Sequence, residues 1–103
     1  MKIILCILLM CGFVNAAVYK GQSAYKSKCR KCHGSGQKLA VKHSMRVWKK
    51  VFKNKGTILV KIHKNSERSL KYLNSKRFRY KSRHLKDFFV TFANDSGMNP
   101  VCE

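Results

Sequence analysis

Cys29, Cys32 and His33 belong to the pentapeptide Cys29-Arg30-Lys31-Cys32-His33, two thiols three residues apart with an imidazole directly after the second. That spacing suits covalent attachment of haem c. Two thiols add across the two vinyl groups, and the adjacent imidazole reaches the iron from one side, all on little more than one turn of chain. With five cysteines and four histidines in 103 residues, chance would produce the pattern about 0.01 times. Composition alone does not account for it.

The same cysteines admit other chemistry. Cys32-His33-Gly34-Ser35-Gly36 looks like one unit of the cysteine-rich zinc domain of J-protein chaperones, but a structural zinc there takes four ligands from two such pairs, and this chain has one. Zinc held by Cys29, Cys32, a histidine and Cys102 would strain one tetrahedral site through the adjacent Cys32 and His33. A thioredoxin-like dithiol expects strands alternating with helices in a longer domain. Cys29 and Cys32 joined as a disulfide or zinc clip remain the alternative to haem.

The elements that must position the motif read as helices. Gly21, Tyr25 and Cys29 recur every four residues and share one face of a helix from Tyr19 to Cys29. Gly34 to Lys38 reads as a loop. Ser44 caps a helix from Met45 to Lys53 whose stripe is Val47, Trp48, Val51 and Phe52, stopped by Gly56. Thr57 caps a further turn or two with Leu59, Ile62 and His63 on one side, although Ile58, Val60 and Ile62 also alternate like a strand. Ser66 begins a helix with Leu70 and Leu73. Ser82 caps the last, whose stripe is Leu85, Phe88, Phe89 and Phe92, closed by Asn94 to Gly97. The expected fold is all-α, one small helical domain around its cofactor.

On Gly21, Tyr25 and the Cys29–His33 motif, with the aromatic last helix, the chain resembles class I cytochromes c. The resemblance implies a cytochrome c-like domain in which the first helix crosses the last beside one haem, Cys29 and Cys32 are the thioether residues, and His33 is the proximal iron ligand. The family usually carries a methionine ligand in the loop before the last helix, and residues 64–82 contain neither Met nor His. The sixth ligand is therefore chosen among His63, giving a bis-histidine iron of lower potential, Met98, giving a His/Met iron of higher potential, and His84. A vacant site open to small ligands is the remaining case. Met45 is expected in the core near Trp48, and His43 at that helix's start.

Met1-Lys2, the apolar run Ile3 to Val14 and Asn15-Ala16-Ala17 follow the order of a secretory signal peptide, residues 1–16, cleaved after Ala16. The apolar run is short of the roughly 20 residues a spanning helix needs. Residues 17–103 form the one domain, with Cys102 a free thiol or a partner for another chain. Export places the protein in the periplasm or a comparable extracytoplasmic space. Its formal net charge of +19 suits an acidic redox partner, approached by electrostatic steering, or an anionic membrane surface. Arg77, Arg79 and Arg83 with Phe78 and Tyr80 would suit nucleic acid, but export argues against it. The expected role is an electron carrier, not an enzyme.

Overall fold

In the computed structural model, residues 16–99 are described, and every regular element among them is a helix: α1 (Ala16–Lys28), α2 (Arg30–His33), α3 (Gly36–Ala40), α4 (Met45–Val51), α5 (Lys53–Ile62), α6 (Glu67–Leu73) and α7 (Lys76–Thr91). The expected signal peptide, apart from Ala16, lies outside the described residues, as do Cys6, Cys11 and Cys102. None of the described helices is long and apolar enough to cross a membrane.

Four of the helix starts rest on serine caps, Ser35 on α3 among them. The Ser44 hydroxyl accepts from the Val47 N–H at 3.2 Å, and Ser66 does the same for Ser69 at 3.3 Å, each satisfying a donor that the first turn leaves without a partner. The remaining cap corrects the sequence expectation. The last helix starts at Ser75, whose hydroxyl accepts from Phe78 N–H at 3.2 Å, and Ser82 sits inside it, donating to the Arg79 carbonyl. Phe78 lies seven residues before Leu85 and is 1% exposed, so burial of its ring extends the helix through Lys76, Arg77 and Arg79. Those cations oppose the helix dipole. Packing overrides them.

Gly34 to Lys38 is likewise more ordered than expected. Ser35 caps α3, and Gly36 lies where a Cβ would come within 2.8 Å of the Phe88 ring. The segment 58–62 is helical, not a strand. It follows three successive left-handed residues, Asn54, Lys55 and Gly56, which turn the chain between α4 and the regular part of α5.

The core lies where α1 crosses α7. Val18, Gly21, Gln22 and Tyr25 occupy one face of α1 at spacings of three and four, and α7 offers Leu85, Phe88, Phe89 and the following Phe92. At the crossing, a Cβ on Gly21 would overlap the backbone carbonyl of His84, so the two backbones touch directly. Trp48 from α4 stacks on Phe89 with ring centres 4.3 Å apart and donates from its indole nitrogen to the Ala40 carbonyl at 2.8 Å. Met45 is half-buried against this core, as expected, and His43 lies edge-on to Trp48. After α7, the Asp95 carboxylate accepts from Met45 N–H at 2.8 Å, tying the chain back to the start of α4.

His84 is buried beside this crossing, and its Nδ1 has no hydrogen-bond partner among the described residues. Burial, then Lys20, Arg83 and Lys81, hold its pKa below the ordinary 6.5, with Asp87 acting in the opposite sense. The folded imidazole is thus neutral where the unfolded one takes up a proton. Stability is complete above the unfolded value and declines as pH falls below it toward the folded pKa. Thermal unfolding is expected at a constant temperature above about pH 7 and at falling temperature below about pH 6.5, with the decline shallower in His84→Leu. A decline of equal slope in both proteins would show that His84 is not responsible.

Candidate functional site

Cys29 follows α1 directly, its N–H donating to the Tyr25 carbonyl at 2.8 Å, and is half-buried against the core. Cys32 and His33 lie on the single turn α2, both exposed, with Cys32 N–H and His33 N–H bonded to the Cys29 carbonyl at 3.2 and 3.0 Å. Gly34 ends the turn at φ 71°, ψ −149°, a region open essentially to glycine alone. The Tyr25 hydroxyl then donates to the Gly34 carbonyl at 2.7 Å. The core thereby fixes the backbone on both sides of the motif.

Both cysteines are free thiols. Burial, and second the neighbouring Cys32, push the Cys29 thiol up to about 11. At neutral pH the metal-free thiol is protonated, which disfavours a reactive dithiol. Among the described residues no three His, Cys, Asp or Glu side chains are grouped to hold a metal ion.

His33 instead faces one other histidine. Its ring centre lies 5.9 Å from that of His63, with the planes at 80°. His63 terminates α5 and is half-buried, and its Nδ1 lies 2.7 Å from the Leu59 carbonyl. A carbonyl only accepts, so Nδ1 donates, and in the neutral form of the ring Nε2 carries the lone pair. That bond sets the tautomer of the neutral ring and would strengthen its donation to a metal. The two rings are the pair of imidazoles that one metal ion could engage together. Two protein nitrogens suit a metal whose remaining ligands come from a cofactor.

The surroundings suit an apolar cofactor. Neither α5 nor α6 fully buries a large apolar side chain: Ile58, Leu59, Val60, Leu70, Tyr72 and Leu73 are half-buried, and Ile62 beside His63 is 67% exposed. The dry α1/α7 core needs no such cover. Leu59, Tyr72 and Leu73 pack on it together with Cys29, so the incompletely covered apolar surface adjoins the motif. Tyr72 escaped the sequence analysis. Burial first, then Cys29, raise its hydroxyl to about 12 against an opposing Arg77.

The other candidate ligands lie elsewhere. His84 is in the α1/α7 crossing with its ring edge-on to Tyr80, and Met98 is 53% exposed beyond α7. Comparison with protein-family models, curated proteins and solved structures returns no match.

Proposed function

We propose that this chain is an exported carrier of single electrons, a cytochrome c-like domain holding one haem covalently through Cys29 and Cys32, with His33 and His63 as the two axial ligands. The observation that carries the proposal is the Cys29–His33 pentapeptide with a second imidazole, already fixed in its tautomer by Leu59, 5.9 Å from His33. The α1/α7 crossing at Gly21, with Tyr25 beside Phe88 and Phe89, supports the cytochrome-like architecture.

When bound, haem supplies a one-electron iron couple. The chain's residues do the rest. Cys29 and Cys32 tether the group, which spares the small domain the entropy of holding it by packing alone. His33 and His63 would hold the iron, and the Leu59 carbonyl would make His63 more electron-donating, favouring the oxidised state. The half-buried side chains of α5 and α6 keep water from the group. No step of bond-making chemistry falls to the protein, so it acts as a carrier and not as an enzyme.

Lysines and arginines distributed over the exposed helix faces steer it toward an acidic redox partner, with weaker and slower association as salt rises; an anionic membrane surface offers the same attraction. The alternative is a cationic extracytoplasmic binding protein with Cys29 and Cys32 clipped by zinc or a disulfide; its zinc form is less favoured, because among the described residues no three His, Cys, Asp or Glu side chains are grouped to hold the ion.

The test is expression in a host with haem-attachment machinery, followed by a visible spectrum of the denatured protein. Wild type is expected to retain the haem absorption after unfolding, and the Cys29→Ala/Cys32→Ala double variant to retain none. Colourless wild-type protein, with zinc or a disulfide found at the pair, would assign the chain to the alternative.

A further inference from the structure

Lys28 at the end of α1, Tyr72 on α6, and Arg77 and Lys81 on α7 surround a half-open cavity of about 310 Å³, whose walls are completed by the serines 23 and 27 and by Ala24. No carboxylate lines it, although Glu67, Asp87 and Asp95 are all among the described residues. Two of the three cations are held over rings. The Lys28 ammonium lies 5.6 Å from the centre of Tyr72, and that of Lys81 lies 5.5 Å from the centre of Tyr80. Three positive groups converging on a partly enclosed space repel one another, more strongly as solvent is excluded. An anion within the cavity would relieve that repulsion.

We propose that this cavity binds a small phosphate monoester. Arg77 offers the planar fork that matches phosphoryl oxygens in pairs, while Lys28 and Lys81 add point charges. The Ser23, Ser27 and Tyr72 hydroxyls are further donors, and burial keeps the Tyr72 phenol protonated. The volume decides between a bare anion and an ester. It reaches the lower end of the range for small-molecule sites, about 300 to 1,000 Å³, which is more space than one phosphate group fills. The Tyr72 ring and Ala24 supply an apolar wall for the organic part. The sequence conceals this site because its cations come from positions 28, 77 and 81, each of which reads as ordinary surface charge. Its cations, Lys28, Arg77 and Lys81, are not among the residues assigned to haem, although Tyr72 borders both sites.

The test is calorimetric titration of the purified full-length protein at fixed ionic strength with phenyl phosphate and with inorganic phosphate. Phenyl phosphate is expected to bind saturably and more tightly than inorganic phosphate. Arg77→Gln/Lys81→Gln should weaken it about tenfold or more, since each removes a charge-assisted contact. Lys49→Gln/Lys50→Gln on the exposed face of α4 removes the same charge and should change affinity less than about twofold, the effect of general screening. Lys28→Gln, on a different helix, gives an independent loss. Equal weakening by the two double variants, inorganic phosphate binding as tightly as the ester, or no saturable binding would each overturn the proposal.

Discussion

Gly21→Ala is expected to destabilise the fold by about 3 kcal/mol or more, at the upper end of the cost of overpacking a core. The sign of the effect is informative. Within a helix, glycine to alanine by itself stabilises by about 0.5–1 kcal/mol, so a helix free of close contacts would gain. Here the added methyl overlaps the His84 carbonyl and approaches Phe88 Cβ to 2.9 Å. The first is backbone of α7 and the second is the Cβ fixed directly to it, and the α7 side chains Leu85 and Phe88 are 2% and 0% exposed, so α7 cannot withdraw without opening the core. Denaturant unfolding of Gly21→Ala beside Lys26→Ala, a change on the exposed side of the same helix, measures it. The Lys26 variant should remain within about 0.5 kcal/mol of wild type. A Gly21 variant as stable as wild type would mean that the helices do not meet backbone to backbone.

The second large effect concerns His63. With haem held as proposed, its replacement by alanine is expected to leave the group attached but remove one iron ligand, so that the reduced protein binds carbon monoxide where the wild type excludes it. Axial ligands set haem potentials over roughly 0.8 V, and loss of an imidazole strengthened by Leu59 should raise the midpoint by on the order of 0.1 V. His63→Met should restore a closed site while keeping the potential high. If His63 serves only to cap the Leu59 carbonyl, the alanine variant loses about 1 kcal/mol of stability and its spectrum and potential stay as in wild type. Met98→Ala and His84→Leu, changed away from His33, are expected to leave the spectrum untouched. A change in either would move the sixth ligand there.

How far the sequence anticipates the molecule depends on how local each determinant is. Ser44 and Ser66 are legible as caps because the hydroxyl and the N–H it accepts from are three residues apart. The stripe Leu85, Phe88, Phe89 and Phe92 is legible for the same reason. Ser82 misleads because it stands at the edge of that stripe in a cationic stretch, while the true start depends on Phe78 finding a place against Gly56 and Tyr72. Gly34-Ser35-Gly36 has the composition of a loop. Its order comes from Tyr25 and Phe88, which belong to distant elements.

The candidate site divides along the same line. The spacing of Cys29, Cys32 and His33 is written in five consecutive residues. That His63 comes within 5.9 Å of His33 depends on the left-handed turn at Asn54 to Gly56 and the return of α5, which helical periodicity does not predict. Periodicity groups His63 with Leu59 and Ile62. The Leu59 bond to its ring adds the reason that it is the nitrogen facing away from the helix that remains available.

The central claim is tested most directly by peptide-resolved mass spectrometry of the protein made in a haem-attaching host. One haem is predicted on the fragment containing Cys29, Cys32 and His33, bound through both sulfurs and retained after denaturation, with Cys102 unmodified by haem. The same fragment recovered without haem, as free thiols, as a disulfide or with bound zinc, would contradict the account.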